Sequence, residues 1–150
     1  MATLINTCSG AISFAKELET KSAQFYNTLS QKYAKERELS LSFAEENGAY
    51  ITQVERAYYG VITDALEGCF AFNMDGEAYG FPADLDNVAS YLEALKRAIA
   101  MEERITKFYS DAAEQSKSLM ADVPRAFSRV AKKRAERISK LKSLLTKETG

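Results

Sequence analysis

The 150-residue chain contains no histidine and no tryptophan, and it has only two cysteines and two prolines. Histidine is the commonest general base and the commonest metal ligand, so its absence excludes most catalytic and metal-binding constellations. Cys8 and Cys69 lie far apart and form no CxxC pair, which excludes a zinc ribbon and a disulfide scaffold. Seven glycines and two prolines are too few turn-forming residues for an all-β protein.

Long apolar runs are missing as well. No stretch approaches the roughly 18 residues that a membrane span needs, and residues 1–10 lack the basic and apolar regions of a signal peptide. The net charge of −1 gives no overall attraction to nucleic acid or to an anionic membrane. We therefore expect one soluble globular domain over residues 1–150, located in the cytoplasm and not on a membrane.

Four stretches have apolar residues at the three-and-four spacing of amphipathic helices. They cover about residues 9–33, 36–67, 87–116 and 123–147. Asp86 or Asn87 is the expected N-cap of the third helix, and Asp122 that of the fourth, with Pro124 just inside it. Short turns join helices one to two and three to four, whereas a long, aromatic-rich connection joins two to three. This order predicts an all-α fold, a four-helix bundle of two helical hairpins joined by a long crossover.

The two halves of the sequence repeat one another. Residues 19–26 match residues 102–109, since both segments begin with Glu and end with Phe-Tyr. In the second helix of each half, residues 43–54 match residues 130–141 at a slightly larger offset. The difference in offset falls in the turn within each hairpin, where insertions are tolerated. Each half is therefore expected to be one copy of the same hairpin.

A helix with Glu and, six residues later, Phe-Tyr, repeated in two hairpins, resembles the rubrerythrin family of ferritin-like di-iron proteins. The resemblance covers about residues 11–145, and it implies a ferritin-like bundle that commonly pairs as a homodimer. In that family, each first helix supplies a Glu ligand and each second helix supplies Glu-x-x-His. The resemblance places the six ligand positions at Glu19, Asn47, Tyr50, Glu102, Arg134 and Arg137.

Only Glu19 and Glu102 keep a ligand of the expected kind. Guanidinium groups stay protonated and only donate hydrogen bonds, so the two arginines cannot bind a cation. We therefore expect a degenerate site with no metal and no other cofactor, in which Arg134 pairs with both buried carboxylates and lowers their pKa values. Arg134 lies on the apolar stripe of the last helix with Phe127, Ala131, Ile138, Leu141 and Leu145. Arg137 flanks this stripe, and whether it faces inward stays open.

The remaining aromatic residues are expected to pack. Tyr26, Tyr33, Tyr50 and Tyr109 lie on inner helix faces and are interpreted as core residues with hydrogen-bonded hydroxyls rather than as redox groups. The connection from Phe70 to Phe81 carries more aromatic side chains than a four-helix surface normally exposes, which favours a homodimer.

The preferred functional interpretation is a non-catalytic structural or binding role, with an unidentified protein partner as one possibility. The first alternative is an iron-binding oxidoreductase of the rubrerythrin type, in which Glu45, Glu46 and Glu103 join Glu19 and Glu102 in a shifted geometry. The second is a binder of nucleic acid or of an acidic partner through the last helix, where nine basic residues and one acidic residue lie between positions 125 and 147. Nucleic acid is disfavoured because no aromatic residues alternate with these charges.

Overall fold

The computed structural model describes residues 4–61, 72–117 and 122–149. The four helices of this part of the chain are α1 (Cys8–Lys32), α2 (Arg37–Val61), α3 (Tyr91–Gln115) and α4 (Asp122–Thr149). Two short strands, β1 (Leu4–Ile5) and β2 (Met74–Asp75), pair antiparallel, and a 3₁₀ helix covers Gly76–Tyr79. The predicted all-α fold is confirmed for these residues, with one two-residue ladder added to it.

The first hairpin lies close to its predicted bounds. Helix α1 begins one residue early because Thr7 caps it, its side chain accepting a hydrogen bond from the backbone N–H of Gly10 at 3.0 Å. In the turn between α1 and α2, Glu36 has a φ of 52°. Arg37 stabilises this turn, because its Nε donates a hydrogen bond to the carbonyl of Ser30 at 2.8 Å. The predicted continuation of α2 to residue 67 lies outside the described residues.

The N-cap predicted for α3 is wrong. The helix begins at Tyr91 rather than at residue 87, and its N-cap is Ser90, whose side chain accepts from the backbone N–H of Glu93 at 3.2 Å. Asp86 and Asn87 lie in a turn before it. Ser90 followed three residues later by Glu93 is the capping-box pattern, and this local signal outcompetes the two earlier acceptors.

The inner face of α4 is rotated slightly from the predicted stripe. Ala131, Ile138 and Leu145 are only partly buried, whereas Val130 and Arg137 are buried. Helix α4 already includes Asp122, so the N-cap predicted at Asp122 is wrong, whereas Pro124 lies in the first turn as predicted. The rotation matters for function because it carries a second arginine into the core.

The helices pack as two hairpins that face each other. Helix α1 packs along α2 and α3 along α4, while α2 also contacts α4 and α1 contacts α3. The repeated Phe-Tyr pairs are fully buried, and the two rings of each pair pack edge to face. The ring centroids lie 5.4 Å apart in Phe25–Tyr26 and 5.2 Å apart in Phe108–Tyr109. This packing brings the matching positions of the two repeats together in one core. Within the described residues, no helix combines the length and apolarity needed to cross a bilayer.

The described part of the aromatic connection, from Phe72 onward, packs against the rest of the chain. Phe72 and Tyr79 are buried, and the Tyr79 hydroxyl donates to Asp111 Oδ2 at 2.7 Å. Phe81 is partly buried, and Phe70 lies outside the described residues, as does Cys69. The expectation that this segment exposes an excess of aromatic surface is therefore wrong for Phe72 and Tyr79. The homodimer stays a prediction that rests on the resemblance.

Candidate functional site

Two glutamates, one from each hairpin, lie at the centre of the bundle. Glu19 of α1 and Glu102 of α3 are both 0% exposed. Each sits among apolar residues at helical spacing, so the regular geometry of its helix aims it inward. A buried carboxylate without a partner is costly, and therefore each must find a cation, a hydrogen-bond donor or a proton.

Arg134 of α4 lies between the two carboxylates. Its Nη1 donates to Glu102 Oε1 at 2.6 Å, and its Nη2 donates to Glu19 Oε1. The same nitrogens also reach Ser22 Oγ and Asn47 Oδ1, each at 3.3 Å. The guanidinium is itself 0% exposed. One planar fork thus joins the first helices of both repeats, a geometry that lysine cannot reproduce.

Arg137 also points inward, which resolves the question that the sequence leaves open. It is 2% exposed, and its Nη1 donates to Asn47 Oδ1 at 2.9 Å and to Glu102 Oε2 at 3.2 Å. Its Nη2 donates to the carbonyl of Phe43 at 3.2 Å. The guanidinium carbon lies 4.4 Å from the centroid of the Phe43 ring, a cation–π contact.

The tyrosines of the repeat connect the hairpins in a reciprocal way. The Tyr26 hydroxyl donates to Glu102 Oε2, and the Tyr109 hydroxyl donates to Glu19 Oε2 at 2.7 Å. Each tyrosine therefore donates to the glutamate of the other repeat, as expected for two copies of one hairpin that face each other. Burial and the adjacent carboxylates raise the pKa of both tyrosines well above the ordinary value, so both phenols keep their protons.

The other two tyrosines have different surroundings. Tyr50 is buried, and its ring faces both guanidinium groups, with its centroid 5.4 Å from each guanidinium carbon. Burial raises the pKa of Tyr50, so this side chain stays neutral and is not an anionic ligand. Tyr33 is only partly buried and caps the end of α1. The core interpretation therefore fits Tyr26, Tyr50 and Tyr109 better than Tyr33.

The two carboxylates are not equivalent. Burial raises the pKa of Glu19 above its ordinary value of 4.5, and Arg134 offsets this only in part. Burial acts on Glu102 in the same direction, but Arg134 and Arg137 together outweigh it and hold the pKa of Glu102 below 4.5. The expectation that pairing lowers both values is wrong for Glu19, because Glu19 has one arginine and Glu102 has two. On acidification, Glu19 takes up a proton first.

The cluster is neutral overall, since two carboxylates face two guanidinium groups. Burial lowers the pKa of Arg134, but Glu102 and Glu19 raise it by more, so the arginine stays charged. The Nε atoms of both arginines are buried and have no hydrogen-bond partner. Such orphaned donors carry a desolvation cost of about 1–3 kcal/mol each. The cluster is therefore specific in geometry without being a large source of stability.

The residues at the six family positions do not fit a di-iron centre. Two divalent ions need several anionic oxygens, and the two carboxylates here already accept from arginines and tyrosines. Protonated guanidinium groups fill the space between the carboxylates where cations would lie. Among the residues that the structure describes, no group of three or more His, Cys, Asp or Glu side chains could hold a metal ion.

The acidic residues invoked for a shifted iron site lie elsewhere. Glu45 and Glu103 are exposed on the outer faces of α2 and α3. Glu46 is half-exposed and reaches only the edge of the cluster, 3.3 Å from Arg137 Nη2. Rotating these side chains inward would require a helix geometry that neither α2 nor α3 has.

Sequence reasoning missed three contributors to the cluster. Ser22 lies one turn after Glu19 on the same helix face, so its inward direction was readable from spacing alone. The carbonyl of Phe43 and the edge contact of Glu46 were not, because both depend on how closely α2 and α4 approach. Cys8 is buried.

Compared with known proteins, the chain matches no family model, no curated protein and no solved structure.

Proposed function

We propose that this chain is a rubrerythrin-like, ferritin-like bundle in which a buried ion-pair cluster replaces the di-iron centre, and that its role is non-catalytic, as a structural or binding protein. The observation that carries the proposal is the position of Arg134. Its guanidinium bridges Glu19 and Glu102 at the centre of the bundle, where the family resemblance puts the metal.

The internal symmetry supports this origin. Tyr26 and Tyr109 occupy matching positions and bond the glutamates of opposite repeats. A duplicated hairpin that once held two ions would have this reciprocity, because each ion would have needed ligands from both halves. The second helices depart from the symmetry: Asn47 and Tyr50 on α2 face Arg134 and Arg137 on α4. The positive charge is thus supplied by one helix alone.

The surroundings of the cluster support a non-catalytic role. Glu19, Glu102 and both arginines are between 0% and 2% exposed, so a substrate has no direct route to them. Neither arginine can accept a proton, and both repeat tyrosines have raised pKa values that keep them neutral. The cluster therefore fixes how the two hairpins register on each other, which is the best-attested use of buried polar groups.

Neither alternative gains a specific observation. The iron-binding oxidoreductase needs Glu45 and Glu103 at the centre, and both are exposed. The nucleic-acid binder needs the basic residues of α4 on one surface, but Arg134 and Arg137 are buried in the core.

Metal content tests the proposal directly. The protein is purified, incubated without oxygen with excess Fe²⁺ or Co²⁺, dialysed against chelator and analysed by elemental mass spectrometry. We expect less than about 0.1 metal ion per chain, because the site lacks the anionic oxygens that two divalent ions require. Retention of about one or two ions per chain, the loading of a di-iron site, would refute the replaced-metal account.

Restoring the ligands tests the proposed origin. The variant Asn47→Glu, Tyr50→His, Arg134→Glu, Arg137→His returns the full family set around Glu19 and Glu102. We expect this variant to bind about two Co²⁺ ions per chain, visible as d–d absorption. The matched control replaces the two new glutamates with glutamine and keeps both histidines, and its affinity should be at least about tenfold weaker. A folded variant that binds no more Co²⁺ than this control would show that the positions do not correspond to a metal site.

A further inference from the structure

A second polar site opens on the surface, where α2 and α4 run side by side near the end of α2 and the start of α4. The cleft between them has a volume of about 830 Å³. It shares no residue with the buried cluster. Among the residues that the structure describes, three arginines line it, Arg56 from α2 and Arg125 and Arg129 from α4, and Asp122 is the one acidic side chain in the lining.

The charge in this cleft is not balanced. Three arginines and one aspartate leave it at +2, and Asp122 lies 3.7 Å from Arg125. Arg56 and Arg129 are exposed and have no ion-pair partner among the residues that the structure describes. Like charges on facing helices repel, so an anion that enters the cleft would be attracted by all three arginines.

The acidic residues of α2 do not relieve this repulsion. Glu55, next to Arg56 in sequence, pairs across the other side of the helix with Lys16 of α1 at 3.3 Å. Glu46 reaches Arg137, more than two turns away from Arg56. The described part of α2 therefore supplies no counter-charge at the cleft.

We propose that this cleft binds a phosphorylated small molecule, whose phosphate lies on Arg56, Arg125 and Arg129. A phosphate monoester carries a charge of about −1.5 to −2 near neutral pH, which matches the +2 of the lining. Guanidinium groups present paired N–H donors with the spacing of phosphate oxygens. This inference goes beyond the proposed non-catalytic role and does not depend on the loss of the metal.

The shape of the cleft favours an organic phosphate over the bare ion. Its volume of about 830 Å³ lies within the roughly 300–1,000 Å³ that small-molecule sites occupy. Ala49, Ala57 and Ala126 form an apolar part of the lining, and the Gln53 amide adds a polar group beside them. The phosphate then contacts the arginines, and the rest of the molecule packs against the alanines.

A nucleic-acid strand fits the surroundings less well. Its backbone would have to continue along the groove between α2 and α4, where the half-exposed Glu46 of α2 lies 3.3 Å from Arg137. Glu46 repels a polyanion that extends beyond the cleft, whereas a single phosphate group stays clear of it.

Isothermal titration calorimetry in low-salt buffer tests the proposal with four probes: adenosine monophosphate, adenosine, citrate and a single-stranded oligonucleotide. We expect adenosine monophosphate to bind and adenosine not to bind. In the variant Arg56→Gln, Arg129→Gln, its Kd should rise at least about tenfold, because two charge-assisted contacts are lost. The control Lys142→Gln removes one charge from an exposed site of α4 outside the cleft and should leave the Kd within about twofold of wild type.

The other outcomes overturn the proposal. One is that adenosine monophosphate gives no heat of binding at millimolar concentration, and another is that it binds wild type and the double variant with equal affinity. The proposal also fails if citrate binds more tightly than adenosine monophosphate, or if only the oligonucleotide binds. Because both substituted arginines are exposed, thermal melts by circular dichroism should show the double variant to be folded, so a loss of binding reports on the cleft.

Discussion

Replacing Arg134 with methionine removes the centre of the buried cluster while keeping much of the side-chain volume. The guanidinium makes four hydrogen bonds, of which two go to carboxylates. After its removal, Glu102 still accepts from Arg137 and Tyr26, whereas Glu19 keeps only Tyr109. The free-energy cost therefore falls mainly on Glu19.

The expected loss of unfolding free energy is about 3–5 kcal/mol at neutral pH, the range for breaking a buried ion pair from one side. Protonation limits this loss. Bringing a carboxyl with an ordinary pKa of 4.5 to its neutral form at about pH 7 costs about 3.4 kcal/mol, at 1.36 kcal/mol for each pH unit. Without Arg134, Glu19 takes up a proton if keeping its charge buried would cost more than this free energy. The variant should therefore stay folded if the wild-type stability lies in the usual range of about 5–15 kcal/mol.

The pH dependence of this loss has a definite sign. The pKa of Glu19 is raised in the folded protein and should rise further without Arg134, so between these two pKa values the folded variant binds a proton that the folded wild type does not. Its stability relative to wild type therefore increases as the pH falls, by up to about 2.7 kcal/mol between about pH 7 and pH 5. In wild type the pKa of Glu102 is lowered, so its contribution is lost only below 4.5 and adds no slope in this interval. In the variant the loss of Arg134 raises the pKa of Glu102 as well, which acts in the same direction as Glu19.

Urea melts of wild type and variant at the two pH values measure the effect. Adding Glu19→Gln to the variant should recover much of the loss, because a neutral amide is buried more cheaply than a lone carboxylate. Adding Glu102→Gln instead should recover little, since it leaves the Glu19 carboxylate stranded and removes the buried carboxylate partner of Arg137, which then keeps only Glu46 at the edge of the cluster. Arg129→Met, at an exposed site of the same helix, should change stability by less than about 0.5 kcal/mol. A change that small for Arg134→Met would refute the buried cluster.

Three further changes probe the cluster and the helices. Tyr109→Phe should lower the unfolding free energy by about 1.5–3 kcal/mol and by more than Tyr26→Phe, because Tyr26 serves the carboxylate that has two arginines; equal losses in urea melts would contradict the inequivalence of the two glutamates. Gly48→Ala should stabilise the protein by about 1 kcal/mol, since an added Cβ in the middle of α2 meets no atom within 4 Å, and a lower melting temperature would contradict this. Ser90→Ala should cost about 1 kcal/mol and Asn87→Ala almost nothing, and the reverse order in thermal melts would restore the earlier N-cap.

The helical part of the fold was readable from local spacing. Apolar residues recur every three or four positions, and the backbone angles of a helix convert that spacing into one buried face whatever the rest of the chain does. Glu19, Glu102 and Arg134 lie on such faces, so their burial follows from the sequence. The repeat made it reasonable to expect them at one centre.

Boundaries were less predictable where acceptors compete. Asp86, Asn87 and Ser90 all lie within the five residues before α3, and each has a side chain that can cap a helix. Ser90 is the N-cap, and its side chain accepts from the backbone N–H of Glu93. Asp86 and Asn87 lie in the turn that precedes the helix.

What the sequence determined by itself is the all-α architecture and the inward direction of both glutamates and one arginine, since helix periodicity depends only on residues a few positions apart. The tertiary structure alone decided the place of Arg137 and the opposite pKa shifts of Glu19 and Glu102. Arg137 flanks its stripe, and it turns inward because Asn47, Glu102 and the Phe43 carbonyl, all more than 30 positions away, offer acceptors there. The electrostatics of a buried charge depend on how many opposite charges the packing brings near it, and no local spacing specifies that number.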